Sequence, residues 1–207
     1  MHRVDPNTPA MLALRQAVVR RLHATRLANV PLPHLRQILR ALEPIEAEAG
    51  EVVMRQGETA EHYFVIGRGR CLVERQYVPR EAPRPVAELG PGDTFGEEAL
   101  LASRGRNASV RMLTDGTLLR LPREVFNESI RNPLLRPTDF MGASALVAGG
   151  GRWIDVRSPS EQVGKRTGAL KVPLVQVRAL AEKLPKDVPY VTYCDAGTRS
   201  LVAAFLL

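Results

Sequence analysis

The sequence is poor in cysteine and in aromatic residues, and it has no long apolar run. Its 207 residues include two cysteines, and Phe, Trp and Tyr together make up 5%. Two thiols far apart exclude a disulfide framework, and no Cys and His cluster has the spacing of a zinc site. The N-terminus lacks an apolar signal core and no segment reaches membrane-spanning length, so we expect a cytoplasmic protein without a membrane partner.

The charge of the chain is its other bulk feature. A formal net charge of +7 favours anionic partners, such as nucleic acid or phosphorylated small molecules. The basic residues are scattered rather than gathered into a tail, which is typical of a solvated surface and argues against nucleic acid. The length is sufficient for two small domains.

The first fifty residues have helical periodicity. Thr8 followed by Pro9 is typical of a helix start, and apolar residues then recur at Met11, Leu14, Val18 and Leu22. We therefore predict an N-terminal helix within residues 1–24. A second helix is expected from about Pro33.

From Gly50 onwards, short β-rich runs alternate with glycines. The runs are Glu51–Gln56, His62–Ile66, Cys71–Arg75, Val86–Leu89, Ala108–Leu113 and Thr117–Leu121. Short strands at this spacing predict a β-barrel or jelly roll with flanking helices. The proline-containing segment Tyr77–Pro85 is expected to be a loop, and Pro122–Ile130 a closing helix.

The last third has a different pattern. A proline-bounded linker, Arg131–Pro137, precedes a predicted amphipathic helix at Thr138–Ala148. Apolar runs at 153–156 and 188–193 then enclose a helical segment, 175–184, and a loop leads into a final helix, 199–207. Strand, helix, strand, loop and helix in this order predict a second, α/β domain with a parallel sheet.

The segment 95–110 combines residue types that suit a phosphate attached to a sugar. Gly96 permits close backbone approach, and a helical turn at Glu98–Ala102, which contains Ala99, offers free amides. Arg106 provides a charged fork for a phosphate. Glu97 can accept a hydrogen bond from a ribose hydroxyl, and Ser109 adds a hydroxyl.

This segment resembles the phosphate-binding cassette of cyclic-nucleotide-binding domains, and the similarity extends over about residues 25–130. The resemblance implies that Glu97 binds the ribose 2′-hydroxyl and that Arg106 binds the cyclic phosphate. It places Gly96, Glu98, Ala99, Asn107 and Ser109 in the same site. Asn107 occupies the position that helps these domains choose between guanine and adenine, and Asn leaves cAMP and cGMP both open. The alternative is a barrel that has lost its ligand.

A second motif surrounds Cys194, which ends an apolar strand and precedes a helix. Backbone amides and the helix dipole stabilise a thiolate in such a loop. The loop continues through Asp195, Ala196, Gly197 and Thr198, and Arg199 adds a positive charge that suits an anionic substrate. An activated thiolate suits covalent group transfer.

The Cys194 loop resembles the active-site loop of rhodanese-like domains, as do Trp153–Glu161 and Gly168–Leu174 upstream, although Lys165, Arg166 and Thr167 depart from the family pattern. The resemblance implies a sulfurtransferase with Cys194 and Arg199 as catalytic residues and with a sulfur donor and acceptor as partners. A cysteine phosphatase is the competing interpretation, but four residues separate Cys194 from Arg199, where phosphatases have five. The chain ends at Leu207 inside the final helix, which implies an incomplete domain spanning 131–207.

Three hypotheses follow for the whole chain. The first is a cyclic-nucleotide sensor with an attached sulfurtransferase that needs no cofactor besides the nucleotide as ligand. The second is a regulatory module whose rhodanese-like domain only docks partners. The third is a transcription factor, which the missing helix-turn-helix pattern argues against. A homodimer through the helix after the barrel is left open.

Overall fold

The structure is a computed structural model that describes residues 2–3, 8–9, 11–16, 30–102, 104–162, 168–181 and 183–207. The chain divides into two compact units, Met1–Pro133 and Leu134–Leu207. The predicted helical positions Val18 and Leu22, and the segment 163–167, lie outside the described residues. Residues 11–16 are helical, and the hydroxyl oxygen of Thr8 accepts a hydrogen bond of 3.3 Å from the Met11 amide, as expected at a helix start.

The first unit is built mainly from antiparallel strands. In chain order they are β1 (His2–Arg3), β2 (Glu43–Ala47), β3 (Val52–Met54), β4 (His62–Arg68), β5 (Cys71–Arg75), β6 (Arg84–Leu89), β7 (Thr94–Phe95), β8 (Ser109–Met112) and β9 (Gly116–Pro122). They form a five-stranded sheet, β1-β2-β9-β4-β7, and a four-stranded sheet, β3-β8-β5-β6. All pairings within these two sheets are antiparallel.

The two sheets share one apolar core, so the unit is a β-sandwich with helices. The phenyl rings of Phe64 and Phe95 stack at a centroid distance of 4.9 Å. Further core residues from the five-stranded sheet are Ile45 and Leu118, and those from the four-stranded sheet are Cys71, Val110 and Met112. Apolar side chains from both inner faces remove the interface from water, which is the main stabilising contribution. The predicted β domain with flanking helices is thereby confirmed in the coarser form of a sandwich of two sheets.

Helices flank this sandwich. They are α1 (Leu32–Ala41), α2 (Glu97–Ala102), α3 (Arg123–Phe126) and α4 (Asn132–Leu134), with a π-helical turn, Asn127–Arg131, between the last two. Helical geometry therefore reaches Leu134, and the prediction of a linker from Arg131 is wrong at that end.

Some strand predictions also need correction. Strand β6 begins at Arg84, within the segment expected to be a loop. The sequence analysis did not predict β2, β7 or the short strand Leu170–Lys171 of the second unit. β2 contains Pro44 and two acidic residues, and the other two strands have two residues each, so none shows an apolar alternation.

The second unit is a small α/β region. Its strands are β10 (Arg152–Asp155), β11 (Leu170–Lys171) and β12 (Tyr190–Tyr193), in the order β11-β10-β12. Both pairings are parallel, as predicted. The helices are α5 (Phe140–Ala148), α6 (Leu174–Ala181) and α7 (Thr198–Leu206).

Helix α5 departs from its predicted amphipathic character. Its buried residue is Ala143, whereas Phe140 and Met141 are 59% and 76% exposed. Asp139 caps the helix by accepting a hydrogen bond of 2.8 Å from the Gly142 amide. No helix in the described ranges is long and apolar enough to cross a membrane.

A buried ion pair lies at the end of β10. The Asp155 carboxylate is 1% exposed and accepts hydrogen bonds from the Arg157 guanidinium and, at 3.0 Å, from the Tyr193 hydroxyl. The Arg157 side chain holds the pKa of Asp155 below its usual value despite the opposing effect of burial. These contacts join β10 to β12.

Candidate functional site

The backbone of Arg106 is fixed by the loop that follows β3. The Arg106 amide donates to the Glu58 carbonyl, and the Gly57 amide donates to the Arg106 carbonyl, each at 2.8 Å. Gly105 is equally confined, because a Cβ at this position would lie 2.9 Å from the Gly57 carbonyl oxygen. The 57–58 backbone, which is distant from Arg106 in sequence, thus fixes the position of the Arg106 main chain.

The Arg106 side chain is buried, with 6% exposure, and its guanidinium donates to two carbonyl oxygens. Nη1 donates to Gly96 at 2.8 Å and Nη2 donates to His62 at 2.7 Å. The guanidinium carbon lies 5.9 Å from the centre of the Phe64 ring. A guanidinium has five N–H groups, and these acceptors use two of them. Because both acceptors are neutral, the cation retains its charge for an anionic ligand.

Gly96 is adapted to this arrangement. Its φ of +91° is favourable only for glycine, and a Cβ would lie 2.8 Å from Arg106 Nη1. The glycine therefore brings its carbonyl against the guanidinium and directs the chain into α2. From the sequence, a glycine at position 96 is expected to let a ligand approach the backbone closely. The structure shows that it also lets the Arg106 guanidinium approach the backbone.

Helix α2 carries the two predicted acidic residues and Ala99. Glu97 is 2% exposed and Ala99 is 5% exposed. The Glu98 carboxylate accepts a hydrogen bond from the Asn107 side-chain amide, so these two predicted site residues contact each other. On β8, the Ser109 hydroxyl oxygen accepts from the Gln56 amide at 2.9 Å. The structure thus gathers all the predicted residues of the 95–110 segment around α2 and the start of β8.

The surroundings of Arg106 disfavour its positive charge, so an added negative charge would stabilise it. Burial lowers the pKa of Arg106, and the charge of Arg123 lowers it further, whereas Glu97 and two other carboxylates oppose the shift. Burial, and after it the charge of Arg120, lowers the pKa of His62. Both shifts reflect the cost of positive charge in a desolvated place.

The sequence analysis missed several residues of this site. The His62 carbonyl, the Phe64 ring and the 57–58 backbone all position Arg106. Their contributions come from main-chain atoms or from an apolar ring, and neither has a distinctive residue pattern.

The loop after β12 surrounds the Cys194 sulfur with donors. The Ser200 amide donates to Cys194 Sγ at 3.4 Å. The Cys194 thiol in turn lies 3.6 Å from the Ser200 hydroxyl oxygen, which donates its own proton to the Gly197 carbonyl at 2.8 Å. Burial raises the pKa of Cys194, but hydrogen bonds from Ser200 and from the amides of Arg199 and Ala196 outweigh it, so the net shift is downward. Gly197 precedes α7 with a φ of +78°. Ser200 was not among the predicted site residues.

Arg199 has carboxylate partners. Its Nη1 and Nη2 donate to Glu161 at 2.7 and 2.8 Å, and Nη2 also donates to Asp195 at 2.6 Å. These hydrogen bonds hold the pKa of Glu161 well below its usual range and lower that of Asp195. Two carboxylates facing one guanidinium leave no net positive charge for an anionic substrate. The predicted role of Arg199 therefore requires that these pairs open.

The second thiol has a different environment. Cys71 is completely buried in the sandwich, and burial raises its pKa to about 11. Such a buried, protonated thiol is an inert core residue. Within the described residues, no group of three or more His, Cys, Asp and Glu side chains has the arrangement of a metal site.

Comparison with known proteins identifies the first unit. Residues 44–133 match the family described as "Cyclic nucleotide-binding domain". A cAMP-dependent protein kinase regulatory subunit of Dictyostelium discoideum is 38% identical over 89 residues, which cover 42% of this chain and 27% of the relative. Human cGMP-dependent protein kinase 2 is 29% identical over 105 residues, which cover 50% of this chain and 14% of the relative. The chain therefore spans about a quarter or less of the length of these curated relatives.

Solved structures agree on the fold. The regulatory domain of Toxoplasma gondii PKA, crystallised with cAMP, aligns with a TM-score of 0.54 at 23% identity, covering 58% of this chain and 47% of that one. Residues 44–133 are thus a cyclic nucleotide-binding domain, and a small parallel three-stranded α/β region follows it.

Proposed function

We propose that the first unit, within residues 25–130, binds a cyclic purine nucleotide and that the chain acts as a regulatory module. The observation that carries the proposal is the buried Arg106 guanidinium. It donates hydrogen bonds to the neutral carbonyls of Gly96 and His62. A cyclic phosphate would place a negative charge in direct contact with this cation, whose hydrogen-bond acceptors are neutral. The relatives include a cAMP-dependent regulatory subunit and a cGMP-dependent kinase, so both nucleotides are candidates.

The roles of the other residues follow from their positions. Glu97 lies at the start of α2 beside Gly96, where its carboxylate can accept a hydrogen bond from the ribose 2′-hydroxyl. Ser109 keeps its hydroxyl hydrogen for the ligand, since its oxygen is the acceptor for Gln56. Asn107 is held by Glu98 and is the residue we propose to face the base.

The test is calorimetric titration of cAMP and cGMP into the full chain and into the Arg106→Ala variant. We expect the substitution to weaken binding at least about a hundredfold, because two charge-assisted hydrogen bonds to the phosphate are lost. Arg70→Gln is the matched control, since Arg70 is exposed and pairs with Glu88 far from the site. Absence of binding by both nucleotides, or unchanged binding by Arg106→Ala, contradicts the proposal.

A second candidate function concerns Cys194, and the hydrogen bonds to its sulfur are the observation that favours it. The Cys194 thiolate attacks the sulfane sulfur of thiosulfate, the S–S bond of the donor breaks, and sulfite leaves with the electron pair. The persulfide then passes its outer sulfur to cyanide, which gives thiocyanate and restores the thiolate. The loop amides stabilise both anionic sulfur species.

The charges around the loop favour the non-catalytic alternative, in which the second unit docks a partner. Thiosulfate is a dianion, and Arg199 is already matched by Glu161 and Asp195. A thiosulfate–cyanide assay with the Cys194→Ser variant as control separates the two functions. Thiocyanate formation that depends on Cys194 supports the enzyme, and a rate equal to that of Cys194→Ser supports the docking module.

A further inference from the structure

An arginine-lined cavity lies in the first unit beside α2. Its volume is about 380 Å³, and Ala99 and Leu100 of α2 form part of its wall. Arg104, Arg123 and Arg131 also line it. A cavity of this size is at the small end of the range for small-molecule sites.

The positive charge of this cavity is not neutralised. In the described part of the chain, none of the three arginines has an ion-pair partner, and the hydrogen-bond acceptor of the Arg123 side chain is the neutral carbonyl of Ala60. The charge of Arg123 also reaches Arg106 and contributes to lowering its pKa. Three guanidinium groups around one small cavity repel one another unless an anion occupies it.

Two polar atoms of the lining residues lack hydrogen-bond partners among the described residues. Arg131 Nε is a buried donor without a partner, and Asn127 Oδ1 is a buried acceptor without one, among the described residues. Leaving such buried atoms unpaired costs free energy. A ligand that draws these two side chains toward the cavity removes that cost.

We propose that this cavity is a second anion site, which binds a small multivalent phosphate. Guanidinium forks match the tetrahedral oxygens of a phosphate, and three of them require a ligand with more than one negative charge. A volume of about 380 Å³ is sufficient for a pyrophosphate-sized group. This site is separate from Arg106, and its existence does not depend on cyclic-nucleotide binding.

The test uses pyrophosphate as the probe, titrated calorimetrically into the full chain at constant ionic strength. Two variants separate the two anion sites. In Arg106→Ala, pyrophosphate binding should remain within about threefold of the wild type, because that arginine does not line the cavity. In the double variant Arg104→Gln, Arg131→Gln, it should weaken at least about tenfold, since two of three cations are lost.

The controls address folding and general charge. Arg36→Gln with Arg40→Gln removes the same charge from the exposed face of α1 and should leave pyrophosphate binding unchanged. Arg104 is exposed, so the single variant Arg104→Gln should fold normally and still bind several-fold more weakly. The proposal is overturned if pyrophosphate does not bind, if both cavity variants bind like the wild type, or if binding is lost in Arg106→Ala alone.

Discussion

Arg106 Nη1 donates a hydrogen bond to the Gly96 carbonyl at 2.8 Å, and a Cβ on Gly96 would lie at the same distance from that nitrogen. The arginine and the glycine therefore fit each other only while position 96 has no side chain. The glycine has two functions, because its positive φ also turns the chain into α2.

This relationship predicts the effect of Gly96→Ala. The methyl group displaces the guanidinium and strains the backbone, so we expect cyclic-nucleotide affinity to fall at least about tenfold and the unfolding free energy to fall by about 1–3 kcal/mol. Calorimetry and urea denaturation measure the two effects.

Gly50→Ala is the control that separates strain from displacement. Gly50 has a φ of +86°, and a Cβ at this position would meet no atom within 4 Å, so the substitution introduces the strain without a clash. The Gly50→Ala variant should lose stability and keep its nucleotide affinity. Equal affinity losses in both variants would show that Gly96 acts only through backbone strain.

The Glu98 carboxylate places a negative charge beside the proposed phosphate site. Glu98→Gln removes this charge and retains an oxygen that can accept the hydrogen bond from Asn107. We expect nucleotide affinity to rise roughly three- to tenfold, with the largest gain at low salt. The affinity is measured at two ionic strengths. A decrease in affinity would mean that Glu98 itself contacts the ligand.

The two thiols should react at very different rates. Cys194 has a lowered pKa and is partly exposed, whereas burial raises the pKa of Cys71 to about 11. Iodoacetamide at neutral pH should therefore label Cys194 in the folded protein and leave Cys71 unlabelled. Mass spectrometry of the peptides identifies the labelled residue.

Ser200→Ala tests the cause of the Cys194 shift. The Ser200 hydroxyl lies beside the sulfur and donates to the Gly197 carbonyl; when Cys194 is deprotonated, this hydroxyl can turn to donate to the thiolate. Loss of the hydroxyl should therefore move the pH profile of alkylation to higher pH. Ser144→Ala in α5 is the matched control and should leave the profile in place. An unchanged profile for Ser200→Ala would assign the shift to the backbone amides alone.

Asp155 should make the stability of the second unit depend on pH. Its pKa is lowered in the folded state, so its contribution is complete above the pKa of the unfolded chain and is lost as the pH falls through the folded pKa. Asp155→Asn leaves the Arg157 charge buried and should cost about 3 kcal/mol at neutral pH. The stability of the Asp155→Asn variant should then change less between neutral and acidic pH than the stability of the wild type.

The fluorescence of Trp153 reports this unfolding, since it is the single tryptophan of the chain and its ring lies 5.7 Å from that of Tyr193. Asp187→Asn, at an exposed position, is the control and should retain the wild-type pH dependence. A wild-type stability that stays constant down to pH 3 would contradict the proposed contribution of Asp155.

Much of the fold could be predicted because it depends on local patterns. Short glycine-bounded runs predicted the strands β4, β5 and β8, and the switch to strand, helix, strand predicted the parallel sheet of the second unit. Strands β7 and β11 could not be predicted, since two-residue strands are defined by their partners and not by their own side chains. The exposure of the apolar residues of α5 could not be predicted either, because helical periodicity does not show which face of a helix packs against another element.

The sequence by itself determined the chemical inventory of this protein. A glycine, two acidic residues and an arginine at fixed spacing are consistent with a phosphate site, and a cysteine before a helix is consistent with a stabilised thiolate. The tertiary structure decided what these groups contact. Arg106 is held by the His62 carbonyl, 44 positions away, and Arg199 is neutralised by Glu161, 38 positions away. Such contacts depend on how distant segments pack together, and local sequence patterns do not encode the distance between them.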